Sequence, residues 1–394
     1  MTKKKLLVVD YKFCLGGVGI AAANLINNLS EDYNIDLLLM EKGGVLENRL
    51  PHNVNIKYVS NKLSKYYYLT VAEFFKQEKN IFKRIKRLWL GLLGRLGLSK
   101  NITKKYVKKE FENFPVYDCI INNDMDSKAV GLGGLCHIST MYGLNATKKF
   151  LIIHGDFVAN NYDKKYFIKE YSKYDKIISV SESLNNQMCE LFPQYKDKLV
   201  GILNFQDDKN IIRMAEEQLP VAMDKSLINL VSASRLTELK GYMRTLNVIK
   251  RLVSEGFNNF CWHILGDGEQ RVEIENFIKE NRLENYVLLY GTQSNPFPYF
   301  KEADLLMLNS YHESYGLVLT ESMVLGTPVF STRTICADEI VGDYGWVVDN
   351  NEDAIYDGLK KILQNADMIA EKKALLSNYV YNNYDIKRKY EEII

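Results

Sequence analysis

The chain has 394 residues, of which 46% are hydrophobic and 25% charged, and its formal net charge is +2. This length is too great for one hydrophobic core and suits two domains, while the composition excludes disordered and collagen-like chains. The six cysteines form no Cys-x-x-Cys pair, which argues against both a disulfide framework and a zinc site.

Neither a targeting segment nor a membrane-spanning segment is indicated. The apolar run that follows Met1 to Lys5 ends at Asp10, which is too short for a signal peptide. The longest apolar stretch, Leu88 to Leu98, is interrupted by Arg95 and is far shorter than the roughly 20 residues that a spanning helix needs. We therefore expect a cytoplasmic protein that is not integral to a membrane.

Short β-branched or leucine-rich runs alternate with helical stretches, which is the pattern of βαβ units and a parallel sheet. The sequence predicts strands near residues 6–9, 36–40, 54–59, 118–121, 150–153, 176–180, 227–233, 260–265, 286–290, 304–308, 327–331 and 345–348. A polar segment at 204–225, interrupted by Pro220, separates the halves and predicts a linker. We expect an α/β protein of two doubly wound, Rossmann-like domains facing across a cleft, at 1–204 and 205–378. An amphipathic C-terminal helix, 379–394, is expected to pack back on the first domain.

The first strand ends at Asp10, and the following loop carries Gly16 and Gly17 before a predicted helix. Glycines allow a ligand to approach the backbone closely, although a tight turn without a ligand explains them equally well. The strict dinucleotide fingerprint fails in this loop, which argues against a nicotinamide dehydrogenase.

Ten cations and no acid lie between residues 81 and 109. Apolar residues recur in the same segment at helical spacing, which predicts an amphipathic helix suited to a membrane interface. A helix packed on the first domain with solvated lysines is the alternative. Nucleic acid is a rival polyanion, but no recognisable nucleic-acid module accompanies the charge. The sequence favours contact with an anionic membrane through Lys83, Arg84, Lys86, Arg87 and Trp89.

Polar residues follow two predicted strands of the first domain. Asn122, Asn123 and Asp124 follow the fourth strand and are expected on the acceptor side of the cleft, and His154 ends the fifth strand. The His154 ring is expected to open into the cleft as a hydrogen-bond partner for a sugar hydroxyl, not as a free general base. A purely structural histidine is the alternative.

In the second domain, Arg235 and Lys240 lie between the opening strand and the next helix. A planar guanidinium and a compact ammonium at that place could grip a diphosphate and stabilise the charge on a leaving nucleotide. Two solvated surface charges are the alternative. Further along, Asp338 and Glu339 are expected to cap the helix that follows them.

A predicted strand ending at Asn309 runs into the sequence His312 to Leu317, and Glu321 follows eight residues after Glu313. A strand, a glycine-bearing loop and a helix place free backbone N–H groups at the carboxyl edge of a sheet, where phosphates bind. Glu313 would face the group attached to the phosphate, and Glu321 the nucleoside. No Asp-x-Asp pair ends a neighbouring strand, so neither a catalytic metal nor a cofactor is predicted.

With these residues in place, nearly the whole chain resembles the family-four glycosyltransferases of the GT-B fold. His312 to Glu321 is similar to the family's Glu-x7-Glu motif, Arg235 with Lys240 to its diphosphate-binding stretch, and Gly16 with Gly17 to its glycine loop. The segment from Leu203 to Asp207 departs from the family pattern at the hinge. The resemblance implies catalytic roles for His154, Glu313, Arg235 and Lys240. It implies a donor site of Gly16, Gly17, Arg235, Lys240, Glu313, Tyr315, Gly316, Leu317 and Glu321.

The resemblance implies a hexosyltransferase-type enzyme that moves a sugar from a nucleotide diphosphate, UDP above all, with retention of configuration and without a metal. The acceptor is expected to be lipid-linked or a polysaccharide, and the protein to sit on the inner face of the cell membrane. Two alternatives stay open: an epimerase or phosphorylase on the same architecture, and a non-catalytic sugar-nucleotide-binding subunit of a glycan synthase. The non-catalytic subunit is the less favoured alternative, because the cations and acids expected of an active enzyme are all present: Arg235, Lys240, Glu313 and Glu321.

Overall fold

The computed structural model describes residues 3–69, 71–95, 99–125 and 134–394. The end of the predicted apolar stretch, residues 96–98, lies outside the described residues. Within these ranges the chain forms two parallel sheets, one of seven strands and one of six. The predicted α/β class with two doubly wound domains is therefore confirmed.

The first sheet has the strand order β3-β2-β1-β4-β5-β6-β7, and all of its pairings are parallel. Its strands are β1 (Lys5–Asp10), β2 (Asn34–Leu39), β3 (Asn55–Tyr58), β4 (Tyr117–Asn122), β5 (Ala146–Ile153), β6 (Lys176–Ser179) and β7 (Leu199–Gly201). Residues 6–9 of β1 are all buried, as expected for a strand covered by helices on both faces. Because β1, β4 and β5 are neighbours, their carboxyl ends meet at one edge of the sheet.

The second sheet has the order β10-β9-β8-β11-β12-β13, again with parallel pairings throughout. Its strands are β8 (Ile228–Ala233), β9 (Phe260–Leu265), β10 (Val287–Leu289), β11 (Leu305–Leu308), β12 (Val329–Thr332) and β13 (Gly345–Val348). β8 and β11 are adjacent, so the loops that follow them lie side by side. This neighbourhood contains the residues that the sequence analysis singled out in the second domain.

Helices cover both sheets. Those before β8 are α1 (Gly17–Leu29), α2 (Asn61–Tyr68), α3 (Val71–Gln77), α4 (Ile81–Arg95), α5 (Ser99–Glu110), α6 (Leu135–Ile138), α7 (Lys164–Glu170), α8 (Glu182–Leu191) and α9 (Asp208–Met214). Those after β8 are α10 (Tyr242–Ser254), α11 (Arg271–Glu280), α12 (Phe297–Glu302), α13 (Leu317–Val324), α14 (Ala337–Val341), α15 (Glu352–Gln364), α16 (Asp367–Leu376) and α17 (Asn383–Ile393). In the described ranges, no helix has the length and apolar character required to cross a bilayer.

The last helix, α17, lies against the first domain. Lys389 pairs with Glu182 at 2.7 Å, and Lys387 pairs with Asp32. At the chain end, the Lys148 ammonium donates to the carbonyl oxygen of Ile393 at 2.8 Å. The predicted crossing of the C-terminal helix to the first domain is confirmed by these contacts.

Candidate functional site

Side chains from neighbouring elements of the second domain donate hydrogen bonds to the carbonyl oxygens at the start of the loop between β11 and α13. Arg244 donates to the carbonyl oxygen of Asn309 at 2.6 Å, and Thr332 Oγ1 to that of Ser310 at 2.7 Å. Asn350 Nδ2 donates to the carbonyl oxygen of Tyr311 at 2.9 Å. These side chains come from α10, the end of β12 and the residues after β13, so the rest of the second domain fixes the loop.

From His312 onward, the backbone N–H groups of the same loop have no acceptor among the described residues, whereas that of Tyr311 donates to the carbonyl oxygen of Leu239 at 2.8 Å. Gly316 ends the loop with φ +79°, a conformation that side chains other than glycine rarely adopt, and α13 begins at the next residue. Among the described residues, none accepts a hydrogen bond from the backbone N–H groups of residues 312–318. A run of free N–H groups that leads into a helix N-terminus is a binding site for an anion such as phosphate.

Lys240 and Glu313 meet at this loop. The Lys240 ammonium donates to Glu313 Oε2 at 2.5 Å, and the two side chains are only 24% and 20% exposed. Lys240 precedes Gly241, where φ is +68° and an added Cβ would lie 2.1 Å from the carbonyl oxygen of Asn309. The turn between β8 and α10 is therefore packed directly on the end of β11, which holds the cation beside the free N–H groups.

Arg235 and Glu321 differ from this pair in their surroundings. Arg235 is exposed at the end of β8, and in the described part of the chain its guanidinium has no hydrogen bond or ion pair. Glu321 is 6% exposed on α13, and none of the described residues donates a hydrogen bond to its carboxyl group. Burial raises the pKa of Glu321 to about 7, against the opposing charge of Arg49. A buried carboxyl group without a protein donor is suited to accept hydroxyl groups from a ligand.

The other residues that the sequence predicts to bind the sugar donor can offer it only their backbone. The Tyr315 side chain is buried and its hydroxyl bonds to that of Tyr381, which in turn donates to the carbonyl oxygen of Asn204. Tyr315 and Leu317 can therefore offer a ligand their backbone N–H groups. A Cβ added at Gly16 or Gly17 would meet nothing within 4 Å, so the backbone at the start of α1 is open to a ligand.

In the first domain, His154 follows β5 and is joined through its Nε2 atom to Asn123 Oδ1 at 2.9 Å. Burial lowers the pKa of His154 to about 4, so the ring is neutral near pH 7. Asn122 and Asn123 are fully buried, and Asn122 donates to the Tyr174 hydroxyl at 2.9 Å. Their side chains are therefore occupied inside the domain and are not presented to an acceptor, whereas Asp124 keeps partial exposure.

Two contacts join the domains beside the site. Ser314 Oγ accepts a hydrogen bond from the backbone N–H of Asp156 at 3.1 Å. The Glu339 carboxylate accepts from the backbone N–H groups of Glu182 and Ser183 at 2.9 and 2.8 Å. Glu339 lies in the first turn of α14 and accepts from the N-terminus of α8 in the opposite domain, whereas the sequence predicted that it caps the helix that follows it. A residue that caps another domain leaves no local sequence signal.

The basic segment forms α4 and α5, and one apolar side of α4 faces solvent. Six large apolar side chains of α4 are 49% to 78% exposed: Ile81, Phe82, Ile85, Leu88, Trp89 and Leu92. Several of the cations point inward or are paired. Arg87 is buried and donates to the carbonyl oxygen of Leu69 at 2.7 Å, and Lys83 pairs with Glu78 at 2.9 Å. Lys86 lies 4.7 Å from the ring centroid of Tyr106, and Arg84 Nε donates to the carbonyl oxygen of Glu78 at 2.6 Å.

Known proteins share both this fold and part of this sequence. The chain is 27% identical over 280 residues to N-acetylgalactosamine-N,N'-diacetylbacillosaminyl-diphospho-undecaprenol 4-alpha-N-acetylgalactosaminyltransferase of Campylobacter jejuni, covering 68% of this chain and 74% of the relative. It is 29% identical over 179 residues to N-acetyl-alpha-D-glucosaminyl L-malate synthase of Bacillus anthracis, covering 44% and 46%. The chain spans less than half the length of two of the curated relatives that it matches.

The structure of HepE from Anabaena, solved in complex with UDP and glucose, has a TM-score of 0.68 and 17% identity, and covers 99% of both chains. This likeness shows the fold. Residues 213–382 match the family model described as glycosyl transferases group 1. Residues 213–382 are therefore similar to the group 1 glycosyl transferases, and the whole chain has a fold of the GT-B type.

Proposed function

We propose that this protein transfers a sugar from a UDP-sugar to a lipid-linked or polysaccharide acceptor. The observation that carries the proposal is the row of backbone N–H groups at residues 312–318, free of protein acceptors in the described part of the chain, beside Lys240. Such a row with an adjacent cation binds a diphosphate. The solved structures that share this fold include complexes with UDP, which supports UDP as the nucleotide.

In the proposed complex, the diphosphate lies on the N–H groups with Lys240 and Arg235 as its cations. Glu321, a buried carboxyl group without a protein donor, takes the ribose hydroxyls. Glu313, on the loop itself, faces the sugar. Because the two cations and the N–H groups supply positive charge where the leaving diphosphate develops negative charge, we propose that transfer does not need a metal ion.

Retention of configuration is part of the proposal and rests on the family resemblance. The leaving phosphate would accept the proton of the attacking acceptor hydroxyl on the same face of the sugar. The Glu339 and Ser314 contacts support a closed cleft during this step, because they bridge the two domains beside the proposed donor site. A closed cleft limits the access of water, which would otherwise hydrolyse the donor.

For the acceptor, we propose a lipid-linked glycan at the membrane surface. The name of the Campylobacter jejuni relative describes transfer to a diphospho-undecaprenol glycan, and this relative matches 68% of the chain. The exposed apolar side of α4 supports the same proposal, because a surface of that kind that includes a tryptophan, Trp89, is suited to the headgroup region of a bilayer. The protein would then work as a peripheral protein on the inner face of the cell membrane.

The donor part of the proposal is tested by thermal unfolding with UDP, GDP and ADP and with their sugars, followed by assays of transfer. A ligand that binds only the folded state stabilises it by about 2.7 kcal/mol at a concentration 100 times its Kd. We expect stabilisation by UDP and by at least one UDP-sugar. Stabilisation by none of the nucleotides would contradict the proposal. Unchanged transfer in EDTA is the expected result for a metal-independent reaction.

The membrane part is tested by sedimentation with phosphatidylglycerol vesicles. Replacing Phe82 and Ile85 by Glu places charge on the apolar side of α4 and should abolish sedimentation. Val272→Glu is the matched control, since Val272 is 67% exposed on α11 of the second domain, and it should leave sedimentation unchanged. Unaltered binding of the α4 variant would contradict membrane contact through this helix.

A further inference from the structure

Three adjacent strand ends of the first domain carry a continuous line of hydrogen bonds. Asp10 ends β1, Asn123 follows β4 and His154 follows β5. Asn123 Nδ2 donates to Asp10 Oδ2 at 2.8 Å, and His154 Nε2 lies 2.9 Å from Asn123 Oδ1. Asp10 is 4% exposed and Asn123 is fully buried, so this line is shielded from solvent until it reaches the half-buried histidine.

The direction of each bond follows from the chemistry of the groups. Asp10 Oδ1 accepts from the backbone N–H of Tyr11 at 2.6 Å, and Oδ2 faces the Asn123 side chain, so both of its oxygens act as acceptors. An acceptor at Asp10 requires the NH₂ group of Asn123 to point toward it. The Asn123 carbonyl oxygen then faces His154 and can only accept, so Nε2 must carry the proton.

A neutral histidine with a proton on Nε2 has an unshared electron pair on Nδ1. None of the described residues forms a hydrogen bond with His154 Nδ1. His154 also lies close to the proposed donor site, because Asp156, two residues later, donates its backbone N–H to Ser314 on the loop that carries Glu313. The free nitrogen is thus an acceptor at the edge of the cleft next to the position proposed for the sugar.

We propose that Asp10 and Asn123 are positioning residues that hold His154 with its proton on Nε2, so that Nδ1 accepts a hydrogen bond from a hydroxyl group of the donor sugar. This inference rests on the proposed function. His154 would then select donor sugars that have a hydroxyl group at this position. A sugar that presents only a hydrogen-bond acceptor there would face the unshared electron pair of Nδ1 and bind weakly.

The charged and titratable groups around the histidine agree with a neutral ring. Burial lowers the pKa of His154 to about 4. Asp10 and Asp124 are the neighbouring acids: burial, followed by the charge of Asp124, raises the pKa of Asp10 to about 7, and burial also raises the pKa of Asp124. Burial, with the charge of Asp124, raises the pKa of Tyr162 above its usual value. A proton on Asp10 would remove one of its two acceptor positions, so this arrangement is that of the carboxylate, which prevails above about pH 7.

The tautomer is measurable by long-range proton–nitrogen NMR, which distinguishes the two ring nitrogens of each histidine. The chain has five histidines, and His154→Gln assigns the signal of interest. We expect the Nε2–H tautomer for His154 at neutral pH in the wild-type protein. A dominant Nδ1–H tautomer would overturn the proposal without any variant and without reference to enzymatic activity.

Two substitutions test the positioning of His154 by Asn123. Asn123→Ala removes the acceptor and should give a mixture of the two His154 tautomers, whereas Asn123→Asp keeps an oxygen acceptor and should keep Nε2–H. His263 is the internal control: its Nε2 lies 2.9 Å from Asn229 Oδ1 and its Nδ1 lies 3.0 Å from the Tyr290 hydroxyl, so Asn229→Ala removes one partner of His263 and should leave the His154 tautomer unchanged. An Nε2–H tautomer that persists in Asn123→Ala would contradict positioning by Asn123.

The ligand arm uses UDP, UDP-glucose, UDP-galactose and UDP-N-acetylglucosamine without an acceptor. At least one UDP-sugar should shift the His154 Nδ1 resonance while UDP alone leaves it in place, and Asn123→Ala should weaken the binding of that UDP-sugar about tenfold with little change in UDP binding. If UDP binds and no UDP-sugar shifts Nδ1, this inference fails while the proposed donor site stands. If UDP does not bind, the proposed function itself fails.

Discussion

The pairing of Lys240 with Glu313 leads to opposite effects on UDP binding when either residue is neutralised. Lys240 donates to Glu313 Oε2 at 2.5 Å, and it is also the cation proposed for the diphosphate. Lys240→Met removes a charge-assisted hydrogen bond worth about 1.5–3 kcal/mol, which corresponds to UDP binding weakened about 10- to 100-fold. Glu313→Gln instead frees Lys240 from an ion pair worth about 1 kcal/mol, so UDP should bind as well as in the wild type or up to about fivefold more tightly.

Isothermal titration calorimetry with UDP measures both effects, and transfer from a UDP-sugar completes the comparison. Glu313→Gln should lose transfer by about 100-fold or more while retaining UDP, because its carboxylate is assigned to the sugar. Lys301→Met is the matched control, since Lys301 pairs with Glu216 at 2.8 Å on the second domain and has no role in the proposed site. Equal weakening of UDP binding by Lys240→Met and Glu313→Gln would refute the proposed division of roles.

Three further changes have calculable outcomes. Burial raises the pKa of Glu321 to about 7, and ribose hydroxyls that donate to its carboxyl group would favour the ionised form. UDP binding near pH 7 should therefore release a proton. The number of protons released is measured by titration calorimetry in buffers of different ionisation enthalpy, and it should fall to zero in Glu321→Gln. Gly241→Ala places a Cβ 2.1 Å from a carbonyl oxygen at φ +68°, so it should lower the free energy of unfolding in urea by more than about 2 kcal/mol. Gly256→Ala, at φ +91° with nothing within 4 Å, should lower it by only about 1 kcal/mol. Glu339→Gln should increase the radius of gyration in small-angle scattering and raise KM for the donor, whereas Asp338→Asn, whose partner Arg333 lies on the same domain, should do neither. The first argument would be contradicted if wild type and Glu321→Gln released the same number of protons. The second would be contradicted if the two glycine variants lost equal stability, and the third if Glu339→Gln and Asp338→Asn had equal effects.

Much of the fold was predictable because parallel strands leave a strong pattern. Residues 6–9 form an apolar buried run and residues 260–265 form one that is apolar except for His263, and both strands were located to within a residue or two. β7, with only the three residues Leu199–Gly201, was missed. A strand of that length at a sheet edge has too few apolar residues to show a period.

The position of a residue in the candidate site was predictable where its side chain and a strand end are neighbours in sequence. Lys240 and Glu313 were each predicted from a strand, loop and helix pattern, and the fold brings them together because β8 and β11 are adjacent. The contacts of Asp10 with Asn123 and of Glu339 with α8 were missed. Each of them joins residues more than 100 positions apart, so only the order of strands or the closure of the domains creates it.

For the apolar side of α4, the structure differs from the sequence prediction in which residues face solvent. The sequence pattern located the helix and its stripe, and the density of cations suggested that charge would form the contact with a membrane. In the structure Arg87 is buried and Arg84 donates to backbone carbonyls, while Phe82 is 78% exposed. Periodicity gives the composition of each helix face, but which face is covered depends on the neighbouring helices.

The central claim is that the loop at residues 312–318 holds the diphosphate of the donor. A crystal structure of the protein soaked with UDP tests it most directly. The account predicts phosphate oxygens within hydrogen-bonding distance of these backbone N–H groups and of Lys240 Nζ, with the ribose hydroxyls on Glu321. A diphosphate bound elsewhere, for example at Gly16 and Gly17 alone, would contradict it.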